Sequence, residues 1–279
     1  MLLTLGLGLA GCSALKLGYD NAATVAFWWL DSYIDFSDAQ APRVREDLAR
    51  LQAWHRAEEL PRWTGMLREM EELAPNDISA EQACHFVSGF RERLQAAAQR
   101  AEPAAVTLAT GLAPEQIQHL RRRHEQNNAD DEREWLKLSA AEQRDKRYRR
   151  FLERSEMVYG RLDDVQREAL RRDMEQTVFD ARRLLAERVR RRQDALRTLE
   201  RITTERLAFD EARRLLRGWL DRALMPPEHG AGSHQLALIG EGCRHFAVLH
   251  NSTTTAQREA AVRRLRAYQR DLRELSAQR

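Results

Sequence analysis

The spacing of histidine pairs could indicate a zinc site, because zinc is commonly held by two histidines on one helical face. Three pairs occur, each with members five residues apart: His119/His124, His229/His234 and His245/His250. Five residues correspond to about 140° around a helix, whereas the i, i+4 spacing keeps two ligands on one face. The sequence offers no Cys-x-x-Cys motif to complete four zinc ligands. We therefore predict no metal site and no cofactor.

Motifs of catalysis are the second possibility, and His55 in Trp54-His55-Arg56 is the nearest candidate. It shares a helical face with Leu48 and Leu51, which favours a buried, hydrogen-bonded histidine over a catalytic one. The sequence contains neither a Gly-rich phosphate loop nor a Gly-x-Ser-x-Gly elbow. We expect a protein that is not an enzyme and has no small-molecule substrate.

Two cysteines of the main body, Cys84 and Cys243, allow two interpretations. They form a disulfide if the protein resides in an oxidising compartment. Alternatively, both are small buried apolar side chains. The sequence alone leaves these alternatives open.

Cys12 ends a short apolar run and is preceded by small residues. Leu9-Ala10-Gly11-Cys12 resembles the lipobox of bacterial lipoprotein signal peptides. That resemblance implies a signal peptide over residues 1–11, cleavage before Cys12 and acylation of its thiol. Residues 1–11 are too few to span a bilayer as a helix, so the acyl chains would be the anchor. A signal peptide normally starts with basic residues, and their absence here suggests a true start upstream of Met1.

The expected location follows from the same resemblance. Acylation at Cys12 places the protein in the cell envelope, facing the periplasm. Ser13 follows the cysteine, and by resemblance to enterobacterial sorting this favours the outer membrane over the inner one.

Residues 12–36 form an apolar and aromatic segment after the anchor, interrupted by charged residues and so not membrane-spanning. Phe27-Trp28-Trp29 allows two interpretations. The rings pack in the core, which we favour, or they lie at the lipid interface, where tryptophan is enriched.

Residues 37–279 are predicted to form one all-α domain. The chain has only 13 Gly and 7 Pro, with 43% hydrophobic residues, which favours helices. We expect an elongated helical bundle of about eight or nine amphipathic helices. Pro61 should kink or end a helix near Leu60. One long helix is predicted near 163–203, about 60 Å in length, from a stripe of apolar residues without Gly or Pro: Met174, Val178, Ala181, Leu185, Val189, Leu196 and Leu199.

Basic residues are clustered in two runs. Lys+Arg (46) and Asp+Glu (43) nearly cancel to a net charge of +3, so we expect no nucleic-acid partner. The runs suggest binding of a client protein or an anionic surface, although such charges usually form the solvated face of a helix. The arginines concerned are Arg121, Arg122, Arg123, Arg188, Arg190, Arg191 and Arg192.

Three segments combine a leucine, a capped helix start and a glutamine: Leu112–Gln116, Leu138–Gln143 and Leu162–Gln166. The capping residue and the acidic first turn stabilise a helix N-terminus. The first and third resemble the Leu-Thr-x-x-Gln motif of Spy/CpxP-like periplasmic proteins, with Ala113 and Asp163 in place of Thr. That resemblance implies binding of unfolded clients on a helical surface.

A wider resemblance covers nearly the whole chain. It rests on several segments together: the leader with Cys12, Tyr19-Asp20-Asn21, Trp54-His55-Arg56, Glu59-Leu60-Pro61, Gly160-x-Leu162-x-x-x-Gln166, Gln257-Arg258 and Leu265-x-x-Tyr268. In this combination the chain resembles a proteobacterial lipoprotein family, domain of unknown function 6279. This resemblance implies an envelope location and a helical fold but no activity. Two functions are expected: a chaperone-like binding module, or a structural or assembly lipoprotein that tethers an envelope protein partner at the membrane.

Overall fold

The structure, a computed structural model, describes residues 10–224 and 231–278. These residues form α-helices and no strand, so the all-α prediction is confirmed, with more helices than the eight or nine expected. The α-helices are α1 (Ala10–Asp20), α2 (Ala22–Ile34), α3 (Ala41–Trp54), α4 (Leu60–Leu73), α5 (Ala80–Thr110), α6 (Pro114–Trp135), α7 (Ala140–Tyr159), α8 (Asp164–Glu175), α9 (Ala181–Thr204), α10 (Phe209–Leu224), α11 (Ala231–Asn251) and α12 (Thr255–Ala277).

The long helix predicted near 163–203 is wrong, because the structure has two helices there. Helix α8 ends at Glu175 and α9 begins at Ala181. The apolar stripe continues across the break, which is why the periodicity gave no sign of it.

A contact from a distant helix explains the break. Glu241 of α11 is fully buried and accepts hydrogen bonds from the Val178 N–H at 2.6 Å and the Thr177 hydroxyl at 2.7 Å. The side chain of Asp180 then caps the first turn of α9. The buried carboxylate thus takes the backbone donor that a continuous helix would have used internally.

Helix α5 is the central element of the described fold, since it contacts α3, α9, α10 and α11. It continues through Pro103, although proline removes one hydrogen bond of a helix. Beside that position, the buried Glu102 bonds to Arg213 and Arg217 of α10. An apolar cluster of α5, α9 and α10 follows one turn later: Val106, Ala109, Ile202, Ala212 and Leu216.

A π-helix, His55–Glu59, joins α3 to α4 just before Pro61. The Leu60 N–H bonds to the His55 carbonyl, five residues back. The wider turn accommodates a proline that has no N–H and would crowd the preceding turn of an α-helix. The predicted disturbance near Leu60 is therefore a change of helix type rather than an end. It also places Glu59 inside, where Arg62 donates to it at 2.6 Å.

Two pairs of interhelical turns are joined by reciprocal glutamine amides. Gln166, at the start of α8, and Gln257, at the start of α12, bond to each other at 2.7 and 3.0 Å. Gln40 before α3 and Gln116 at the start of α6 do the same at 2.7 and 3.2 Å. We call these the glutamine-paired turns.

The remaining amide atoms in the glutamine-paired turns follow one rule. Each side-chain oxygen also accepts the backbone N–H three residues earlier, as in a capping box. Each amide nitrogen also donates to a backbone carbonyl of the opposite turn: Asp35, Gly111, Arg161 or Ser252. Two of the Leu-x-x-x-Gln segments therefore have a structural role, which is to fasten one helical hairpin to another.

Candidate functional site

Cys12, the predicted lipid attachment point, belongs to the backbone of α1. Its side chain lies outside the described residues, as do residues 1–9 of the predicted signal peptide. Helix α1 contacts α12, and α2 contacts α3 and α6. The segment after the cysteine is thus packed on the body of the protein.

Cys84 of α5 and Cys243 of α11 are joined by a disulfide, with Cα atoms 5.4 Å apart. Of the two interpretations that the sequence left open, the structure has the bridged one. The bond lies in an apolar cluster with Ile78, Ala83 and Ala247. It links residues 159 positions apart, and proteins that keep such a bond normally reside in an oxidising compartment.

Several arginines of the basic runs form ion pairs between α6 and α9. Asp131 of α6 accepts from Arg192 at 2.7 Å and also from Arg188. Arg121 of α6 pairs with Glu200 of α9. These guanidinium groups stabilise a helix–helix contact, which the spacing of arginines in the sequence did not indicate.

The other two residues of the first run differ in exposure. Arg123 lies over the Tyr33 ring, 5.5 Å from its centroid, and bonds to Gln126 at 2.8 Å. Arg122 is exposed on α6. The first run therefore contributes chiefly to packing around α6.

Arg190 and Arg191 of the second run contact Glu187 of their own helix instead of α6. Glu187 accepts from Arg190 at 2.7 Å and from Arg191 at 2.8 Å. The hydrogen bond from Arg190, aided by Arg191 and opposed by partial burial, lowers the pKa of Glu187 to about 2. The carboxylate stays ionised at physiological pH and holds both guanidinium groups beside one groove.

This groove runs between α9 and α11 and has a volume of ≈ 610 Å³. We call it the α9–α11 groove. Arginine side chains add apolar methylene stems to its walls while keeping their charge in water. Its apolar residues are Leu184, Ala186 and Leu238, and its cationic residues are Arg183, Arg188, Arg190 and Arg191. It therefore offers apolar contact and positive charge at one place.

A second groove, of ≈ 500 Å³, lies between α3 and α5. Val44, Leu48 and Leu51 line it from α3, at steps of one helical turn. Helix α5 contributes Ala101, Ala104, Ala105 and Leu108, and Arg50 and Arg100 supply positive charge. We call this the α3–α5 groove.

A buried polar network around Glu241 was not found from the sequence. Arg147 donates to the Glu241 carboxylate at 2.9 Å, and Thr177 does so at 2.7 Å. Burial acts to raise the pKa of Glu241, but these hydrogen bonds outweigh it and hold the pKa below its ordinary value. The i, i+4 spacing of Glu241 and His245 was the one available signal.

His245 of this network also faces Asp173, whose Oδ2 lies 2.5 Å from the imidazole Nδ1. A carboxylate and an imidazole are the base component of several hydrolases. Because His245 is only 3% exposed, its imidazole is out of reach of a substrate. The network instead joins α8 to α11.

Two other histidines that the sequence singled out, His55 and His250, form hydrogen bonds within the fold. His55 is half-buried, as expected, and bonds to the Tyr19 hydroxyl at 3.0 Å. His250 lies between the Tyr159 hydroxyl, at 2.8 Å, and the Asn76 carbonyl, at 2.7 Å. In residues 10–224 and 231–278, no three His, Cys, Asp or Glu side chains are grouped so as to hold a metal ion.

Comparison with known proteins identifies a family. No curated protein and no solved structure matched the chain. A family model described as a family of unknown function, DUF6279, matches residues 32–217. That range includes both basic runs, Cys84 and three of the four glutamines of the paired turns. The chain belongs to the DUF6279 family.

Proposed function

We propose that the protein is a lipoprotein of the cell envelope that binds other proteins without catalysing a reaction. Acylation of Cys12 would anchor it, facing the periplasm and on the outer membrane in preference to the inner. The lipobox-like sequence supports the anchor. The Cys84–Cys243 disulfide supports an oxidising compartment.

The α9–α11 groove is the observation on which the proposed binding role depends. It combines apolar residues with arginines that are held in place by ion pairs at the surface. Glu187 is only 11% exposed at its side chain and keeps Arg190 and Arg191 in position. A guanidinium group has five N–H donors, so those not used by Glu187 can bind a carboxylate of a ligand. Such a groove suits weak, chaperone-like binding of unfolded clients that expose apolar and acidic residues.

Two half-buried leucines that line the groove, Leu184 and Leu238, provide the test. We expect the purified protein from Ser13 onward to suppress aggregation of a denatured client at close to equal molar amounts. Leu184→Asp with Leu238→Asp should require several-fold more protein, because the groove loses its apolar floor. Val165→Asp on α8, at a position 77% exposed and outside the groove, is the matched control and should leave suppression unchanged. No suppression by the unmodified protein at several-fold excess would contradict the proposal.

The α3–α5 groove favours a second candidate, a tether for one fixed partner. Its apolar residues repeat at helical spacing on both walls, which suits an amphipathic helix of a partner protein. Crosslinking of the native lipoprotein distinguishes the two roles. A tether would be captured with one protein in constant ratio, whereas a chaperone would be captured with many.

A further inference from the structure

Helix α2 presents a stripe of exposed residues that carries no charge. The stripe consists of exposed residues that succeed one another at steps of one or three: Asn21, Thr24, Val25, Trp28, Trp29 and Ser32. Val25 is 62% exposed, Trp28 59% and Trp29 60%. In α1, Leu17 is 67% exposed and lies one turn before Asn21. Large rings are normally buried at a core or an interface, so this surface requires an explanation.

The fold itself does not explain the stripe. The opposite side of α2 is the packed one: Phe27 is 2% exposed, with the Arg45 guanidinium carbon 3.4 Å from its ring centroid. Asp31 is the one charged residue of α2, and it accepts the Phe36 N–H at 2.9 Å at the helix end. Our expectation that all three rings pack in the core is therefore correct for Phe27 and wrong for Trp28 and Trp29.

The position of the stripe in the chain points to its partner. Leu17 follows Cys12 by five residues, and Trp28 and Trp29 belong to the next helix. Acyl chains on Cys12 would hold both helices at the membrane surface. Tryptophan is enriched at the boundary between lipid headgroups and acyl chains, where its amphipathic ring is favourably placed. No described helix is both long and apolar enough to cross the bilayer.

We propose that Leu17, Val25, Trp28 and Trp29 insert into the interfacial layer of the membrane, so that α2 lies along it. This proposal rests on the envelope lipoprotein function proposed above and names the lipid surface as the partner of the N-terminal helices. The stripe itself carries no Lys or Arg. Arg45 of α3 lies beside it, with its guanidinium carbon 5.2 Å from the Trp28 ring centroid, where it can meet a lipid phosphate while the rings insert. This insertion would fix the orientation of the body relative to the membrane, which an acyl chain alone does not.

Tryptophan fluorescence provides the experiment. The native protein is reconstituted into phosphatidylcholine vesicles whose acyl chains carry bromine, which quenches nearby tryptophans. The chain has six tryptophans, and we expect Trp28 and Trp29 to account for most of the quenching. Trp28→Ala with Trp29→Ala should remove it, whereas Trp219→Ala, the matched control on α10, should retain it. Circular dichroism of each variant verifies the helical fold.

Failure of the membrane-insertion proposal can be distinguished from failure of the proposed lipoprotein function. The mass of the N-terminal peptide reports acylation separately. Quenching that is unchanged in the Trp28/Trp29 double variant, or absent from the native protein, would overturn the proposal whether or not Cys12 is acylated. A photo-crosslinker at Thr24 that captures an envelope protein instead of lipid would also overturn it.

Discussion

At the scale of single residues, arginines of both basic runs are paired with acidic residues of other helices. Arg188 and Arg192 of the second basic run, on α9, both pair with Asp131 of α6. The sequence revealed that arginines were clustered, and it also revealed enough acidic residues to balance them. It could not reveal which acid each one meets, because those contacts join positions about 60 residues apart in the chain.

His124 gives a prediction for pH dependence. It lies near the Tyr33 ring, at 6.3 Å between centroids. Burial, together with the charge of Arg192, lowers its pKa from 6.5 to about 4. The unfolded chain therefore binds a proton that the folded protein does not, between these two values. The free energy of unfolding should fall as the pH is lowered from about 6.5 toward 4.

Replacing His124 tests this dependence. We expect His124→Gln to reduce the difference in unfolding free energy between about pH 7 and about pH 5, measured by urea titration. The burial of His250 also lowers its pKa, so part of the slope should remain. His85→Gln, at an exposed position, serves as the control. Equal slopes for the native protein and His124→Gln would refute the assignment.

At the scale of elements, helix starts could be predicted and helix breaks could not. Ser79 with Gln82 and Ser139 with Glu142 have the Ser-x-x-Gln/Glu spacing that is typical of a helix start, and both pairs form capping boxes. The residues of a capping box are three apart, so the sequence contains the whole interaction. The break between α8 and α9 depends on Glu241, which is more than 60 positions away. The apolar stripe runs across this break without a Gly or Pro, so the sequence did not indicate that the helix ends there.

The glutamine-paired turns supply the prediction at this scale. Gln166→Leu removes both hydrogen bonds between the Gln166 and Gln257 amides. It also takes the Gln166 side chain away from the Ser252 carbonyl and the Asp163 N–H. Because buried unpaired polar groups are costly, we expect a loss of about 2–3 kcal/mol in the free energy of unfolding, measured by urea titration. The exposed Gln82 caps the start of α5 in the same way. Gln82→Leu should therefore cost about 1 kcal/mol or less. Similar losses for the two variants would argue against pairing between the turns.

At the scale of the whole molecule, three features support the envelope location that we propose. The N-terminal sequence resembles a lipobox, a disulfide joins α5 to α11, and an uncharged aromatic surface lies on the helices nearest Cys12. The all-α class could be predicted from composition and periodicity, because both are properties of the entire chain. The grooves could not, since each is formed by two helices whose pairing depends on tertiary packing.

Mass spectrometry of the N-terminal peptide from the natively expressed protein tests the central claim most directly. The account predicts a mature chain that begins at Cys12 and carries acyl groups on that residue. A peptide that still contains the leader, with an unmodified Cys12 thiol, would contradict it.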